Sequence, residues 1–203
     1  EIRQIIAGYY GMVALVDNYC GMVLNILDRL GIRDETAIIW TVDHGEQLWE
    51  HGLFTKFVMR EASVHVPLLI SVPGVKPGVR SEFVEHVDIF PTICDLLNIE
   101  IPNSVQGRSL LPLLDSESPP DDWRDAVFSQ IGTTQMIRTA EWKLNVYNGV
   151  PGELFDMRND RQEFYNLATD PAHTDVINHL HHRLRKWEIS FGPCQGLENW
   201  RNP

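Results

Sequence analysis

The sequence predicts an α/β protein joined to a small antiparallel sheet that a helix closes. Three observations carry this. An apolar stripe at helical spacing (Val13, Val16, Cys20, Val23, Leu27, Leu30) ends at Gly31. A β-branched and aromatic run without alternation follows at 36–42, the pattern of a strand buried on both faces. Short strand candidates at 126–131, 135–137, 142–147 and 153–157, punctuated by Gly, Asn and Pro, then argue for an antiparallel meander. Helix, short loop and buried strand read as half of an α/β repeat, and a second strand is expected at 66–72 with Pro67 at its start. Phe90, Ile93 and Leu97 predict a helix with Pro91 in its first turn. The proline-containing stretch 101–122 predicts a long surface connection. Val176, Ile177, Leu180, Leu184 and Trp187 mark a last amphipathic helix, before a tail from Gly192 without any period. The expected division is an α/β part over 1–122, with its connecting loop, and a sheet subdomain with helix and tail over 123–203.

The 203 residues carry 17 basic and 28 acidic side chains, for a formal net charge of −11, which disfavours nucleic acid and anionic membrane surfaces as partners. Hydrophobic residues at 43% fit a globular core rather than a disordered chain. No run of about 18 consecutive apolar residues occurs, so no transmembrane helix is expected. Cys20, Cys94 and Cys194 stand too far apart for a zinc or disulfide framework, and Cys20 falls on the predicted helix stripe as a core residue. The chain opens at Glu1-Ile2-Arg3 without an initiator Met or a signal segment, as a piece of a longer protein would.

The informative chemistry follows the first strand, at Thr41-Val42-Asp43-His44-Gly45-Glu46. A carboxylate and an imidazole side by side can both reach one divalent cation, and Gly45 lets the backbone turn away. A polar turn ending a strand accounts for the same residues. Lys56 stands among Phe54, Phe57 and Val58, where apolar neighbours would strengthen its hold on an anion; a snorkelling surface lysine fits equally. His51 reads as a structural hydrogen-bonder rather than a ligand, and its spacing of seven from His44 is not that of a zinc-protease helix. His179, His181 and His182 read as a solvated face, and Gln106-Gly107-Arg108-Ser109 is too short for a phosphate loop.

Taken in order, several segments resemble the sulfatase family of the alkaline-phosphatase superfamily. They are Tyr9-Tyr10 with Asp17, Asp43-His44-Gly45-Glu46, Glu50-His51-Gly52-Leu53-Phe54-Thr55-Lys56 and Val66-Pro67-Leu68-Leu69-Ile70 with Pro73-Gly74-Val75. After these come Val87-Asp88-Ile89-Phe90-Pro91-Thr92, Gln106-Gly107-Arg108-Ser109, Glu153-Leu154-Phe155-Asp156-Met157, Asn159-Asp160 and Glu163-Phe164-Tyr165-Asn166-Leu167. The resemblance implies part of an alkaline-phosphatase-like mixed sheet flanked by helices. It also implies hydrolysis of a small-molecule sulfate ester at a divalent metal, most often calcium, with manganese or magnesium as alternatives. Asp43 and His44 map onto metal ligands, and Lys56 onto the lysine that contacts sulfate. The family's formylglycine nucleophile arises from a Cys or Ser in Cys/Ser-x-Pro/Ala-x-Arg. No cysteine here has that context, so the nucleophile is expected in an amino-terminal portion and this chain alone is expected to be inactive. Two other readings stay open. Relatives with Asp-His-Gly and a downstream Lys hydrolyse phosphonate monoesters or phosphodiesters, and a non-catalytic metal-binding module would have its gene begin near Glu1.

Overall fold

The computed structural model describes residues 1–116 and 118–190, so the predicted tail and Cys194 lie outside the described residues. Two compact units are formed, one by residues 1–56 with 62–76 and the other by residues 57–61 with 77–203.

In the first unit, helix α1 (Ile2–Leu30) stops where predicted. Gly31 takes φ 68°, and the Gly31 and Ile32 N–H groups donate to Asp28 and Leu27 carbonyls at 3.1 Å each. A glycine at this left-handed position closes the last turn without a Cβ clash. The buried stripe is corrected, because α1 has no buried residue. Val13, Val16, Val23 and Leu30 are exposed, and Cys20 is half-buried rather than core. The transmembrane expectation changes too: by length and composition alone, this 29-residue helix is apolar enough to cross a membrane. Scattered Gly, Asn and Tyr interrupt every consecutive run, yet the mean hydropathy stays high because Asp17 is the one charge between Gln4 and Leu27. A helix apolar all round meets the same criterion when protein covers it.

Strand β1 (Ile38–Thr41) pairs with β2 (Leu68–Ser71), and the pairing is antiparallel, Ile39 opposite Ile70 and Trp40 opposite Leu69. The expected α/β half-repeat is therefore not followed by a parallel strand. The intervening chain has a single-turn 3-10 helix at Glu50–Gly52 and one short α-helix, α2 (Glu61–Val64), and returns beside β1 instead of crossing over. Burial on both faces is also corrected: Trp40 and Leu69 share one face and are 37% and 59% exposed.

The second unit matches the predicted meander. Strands β3 (Ala126–Ile131), β4 (Thr134–Thr139), β5 (Trp142–Tyr147) and β6 (Val150–Asp156) pair antiparallel in sequence order. Helix α5 (Thr174–Ser190) buries Leu180 and Leu184 against Ala126, Ile137, Leu144, Val146 and Leu154, with Val176, Ile177 and Trp187 at the margin. His179 and His182 are exposed, and burial with the Arg185 charge pulls the His181 imidazole below its ordinary value. Helix α3 (Ile89–Leu96) holds Pro91 in its first turn as predicted. Its buried residues are Pro91, Thr92 and Cys94, whereas Phe90, Ile93 and Leu97 are exposed. The stretch 101–122 is more than a surface connection, since it contains helix α4 (Leu111–Asp115), with Leu110 and Leu113 buried. Gly107 closes against the backbone of Val87, where a Cβ would lie 1.9 Å from the carbonyl oxygen. The next N–H, of Arg108, donates to buried Asp88 at 2.8 Å. That Gly-Arg segment is structural.

One ion cluster anchors this unit. The Lys143 ammonium is fully buried and lies 2.9 Å from Glu61 Oε1 and 2.7 Å from Glu163 Oε1. Arg60 donates to the Glu163 carbonyl and to Glu153 Oε1, both at 2.5 Å, and the Glu61 N–H donates to Glu163 Oε2 at 2.8 Å.

Candidate active site

Strand β1 ends at Thr41, and its next residues but one are Asp43 and His44. The pair thus emerges directly beyond the carboxyl end of β1. Asp43 Oδ1 accepts the His44 N–H at 3.1 Å, which aims Oδ2 at the imidazole, 3.3 Å from Nε2. His44 Nδ1 lies 2.8 Å from the Gly45 carbonyl oxygen. A carbonyl only accepts, so Nδ1 carries the proton and Nε2 of the neutral ring offers its lone pair.

Two acceptors, Asp43 Oδ2 and His44 Nε2, then face each other at a separation that calls for a cation. Lys56 supplies it, with its ammonium donating to His44 Nε2. The structure thus brings Lys56, His44 and Asp43 together. The predicted apolar wrapping of Lys56 is corrected: Phe54 and Phe57 are 44% and 66% exposed, so the half-buried ammonium is held by the imidazole instead.

The loop between the pair and Lys56 is tightly built. The Gly45 N–H donates to the Ser63 carbonyl at 2.8 Å, and a Cβ on Gly45 would sit 1.9 Å from the Ala62 carbonyl oxygen. Gly45→Ala is expected to push this backbone apart and destabilise the protein by about 1–3 kcal/mol, as overpacking does. Urea unfolding of the variant checks it, and an unchanged midpoint would show that the contact can relax. Gln47 is fully buried and donates from Nε2 to Ser63 Oγ at 2.8 Å. Glu46 Oε1 accepts the Leu48 N–H at 3.2 Å and the Thr55 N–H at 2.5 Å. The Trp49 and Phe54 rings meet edge-on, 6.4 Å apart. His51, half-buried, sits in the left-handed region within the turn Glu50–Gly52.

The roles of Glu46 and Gln47 escaped the sequence reading. Glu46 was visible in the motif, but its role as an acceptor for Thr55 depends on a nine-residue loop closing, which no local pattern announces.

No group of three or more His, Cys, Asp or Glu able to hold a metal ion occurs among the described residues. Asp43 Oδ2 and His44 Nε2 fit a divalent cation as a partial donor set, because the two acceptors lie 3.3 Å apart and the Lys56 ammonium already donates to one of them. Calcium takes six to eight oxygen ligands, so the imidazole suits manganese at least as well, and the remaining donors must come from elsewhere. Neither described cysteine stands in the formylglycine processing motif, Cys94 being buried and Cys20 half-buried.

Residues 49–190 match the family described as N-sulphoglucosamine sulphohydrolase, C-terminal. Arylsulfatase K of Rattus norvegicus is 37% identical over 185 residues, covering 84% of this chain and 33% of its own length. BT4656, solved in complex with its substrate D-glucosamine-2-N,6-O-disulfate, superposes with TM-score 0.80 at 30% identity, over 92% of this chain and 41% of that one. Phosphonate monoester hydrolase SpPMH from Silicibacter pomeroyi also superposes with TM-score 0.80, at 34% identity, over 86% of this chain and 39% of that one. The chain spans only a third to about two fifths of these relatives' lengths. With the family match over most of its residues, the Asp-His pair after a strand and the meander closed by a helix, the chain belongs to the sulfatase family of the alkaline-phosphatase superfamily and corresponds to that family's carboxyl-terminal portion.

Proposed function

We propose that this chain supplies one flank of the active site of a sulfuric ester hydrolase, with Asp43 and His44 as metal ligands and Lys56 as the sulfate contact. The observation that carries the reading is the Lys56 ammonium on His44 Nε2, beside Asp43 Oδ2. A divalent metal bound there, calcium by family resemblance, would supply Lewis-acid stabilisation of the oxygens on sulfur. The chain's own residues do the rest of what this flank contributes. The Gly45 carbonyl keeps the His44 proton on Nδ1, so the ligating lone pair is on Nε2, and with a metal bound there the Lys56 ammonium would be released from it toward the oxygens on sulfur. The His44 N–H holds the Asp43 carboxylate toward the same point. Lys56 donates to a sulfuryl oxygen as negative charge builds on it and the leaving group departs, an interaction that gains strength in the transition state.

The nucleophile is not in these residues. The chain by itself is therefore expected to show no turnover of an aryl sulfate with calcium, manganese or magnesium, because a bound anion without an attacking group is stabilised only in its ground state. Turnover by the isolated chain that Asp43→Ala and Lys56→Ala both abolish would show that the nucleophile is present after all. The similarity to a phosphonate monoester hydrolase favours a second reading, hydrolysis of phosphorus esters at the same residues. Rates of the full-length protein on matched aryl sulfate and aryl phosphonate substrates separate the two, and faster sulfate cleavage is expected.

A further inference from the structure

We infer that Glu46 is the positioning residue that holds the Lys56 ammonium beside the metal-ligand pair, an inference that rests on the reading of Lys56 as the sulfate contact. Four residues without glycine's freedom adopt positive φ between Glu46 and Lys56: Leu48 (43°), Trp49 (79°), His51 (54°) and Thr55 (73°). For a residue with a Cβ this region is unfavourable, and for a β-branched side chain such as Thr55 it is a true outlier. Such conformations persist only where the surroundings over-determine them.

Thr55 is over-determined from both sides. Its N–H donates to Glu46 Oε1 at 2.5 Å, and its carbonyl accepts the Gln47 N–H at 3.0 Å. The same Glu46 oxygen takes the Leu48 N–H, so one carboxylate ties the first turn of the loop to its last residue. Thr55 precedes Lys56, while Glu46 follows Gly45, whose carbonyl fixes the His44 tautomer. Glu46 therefore links the two halves of this flank through a single carboxylate oxygen. Without its acceptor, Thr55 relaxes toward ordinary negative φ, which redirects the peptide entering Lys56 and carries its ammonium away from the site.

The link works by reach and acceptance rather than by charge, which separates it from a general electrostatic effect. Gln presents an amide oxygen at the same distance, whereas Asp keeps the charge but is one methylene too short. In the full-length protein assayed with calcium and an aryl sulfate, Glu46→Ala and Glu46→Asp are expected to lower kcat about 10–100-fold, the scale of an ångström of misplacement, with KM within a few-fold. Glu46→Gln should retain kcat within a few-fold. Glu46→Ala/Thr55→Gly should recover part of the loss, because glycine tolerates φ near 73° without a clamp. Circular dichroism and the unfolding midpoint confirm folding, and if Glu46→Ala does not fold, Glu46→Asp against Glu46→Gln carries the comparison. Unchanged kcat in Glu46→Asp, an equal loss in Glu46→Gln, or a loss wholly in KM would each overturn the inference. Lys56→Ala runs beside them: full activity in that variant would remove the underlying reading, whereas lost activity with intact Glu46 variants would remove this inference alone.

Discussion

Replacing Lys56 with alanine in the full-length protein is expected to lower kcat/KM for an aryl sulfate by about 10²–10³-fold, the scale of losing one preorganised donor to developing negative charge. The ammonium is half-buried and stands at the metal-ligand pair, so it needs to move only from His44 Nε2 to a sulfuryl oxygen when a metal takes that nitrogen. Most of the loss should fall in kcat, since the contact tightens as charge grows on the oxygens. Lys56→Arg should restore little, because a planar guanidinium cannot stand where a compact point charge meets a single imidazole nitrogen. Steady-state rates on an aryl sulfate at fixed calcium measure both. A change below about threefold in Lys56→Ala would return the residue to a snorkelling surface role.

Lys143→Met is expected to destabilise the second unit by about 3–5 kcal/mol, the cost of leaving buried carboxylate without its cation. Lys143 is fully buried and Glu163 only 2% exposed, so the orphaned Glu163 carboxylate cannot recover hydration. The loss should spread, because Glu163 also accepts the Glu61 N–H while its backbone carbonyl takes Arg60. Urea unfolding followed by tryptophan fluorescence reads the change, and a shift under 1 kcal/mol would mean that water reaches the site. The neighbouring Glu153 gives this cluster a pH signature. Burial alone lifts its carboxyl, but hydrogen bonds from Asn145 and Tyr147 and the Arg60 charge outweigh it and hold Glu153 below the usual range. A depressed carboxylate adds stability above its unfolded value and loses it as pH falls through the folded one. Acid should thus weaken this unit through Glu153, and Glu153→Gln should flatten that part of the stability curve.

Local chemistry in the sequence determined a good deal of this protein. The ends of β3 and β5 were legible because Gly, Asn and Pro bracket β-branched and aromatic runs, and α5 was legible because Leu180 and Leu184 repeat at helical spacing. Gly31 closed α1 at the predicted residue. Asp43, His44 and Lys56 could be named as candidates from residue type and order. Tertiary structure decided the rest. Direction of pairing between β1 and β2 depends on how the chain returns after Lys56, and an apolar run is the same whether its partner is parallel or antiparallel. Periodicity on α1 and α3 marks an apolar face without saying what covers it, so Val16 and Phe90, both on predicted stripes, stand exposed. The convergence of Lys56 on His44, and the Glu46 carboxylate that closes the loop between them, join residues nine and twelve apart through backbone conformations that propensity disfavours. Propensity describes what a segment does alone, and these four positive φ values exist only because hydrogen bonds made after the loop closes hold them.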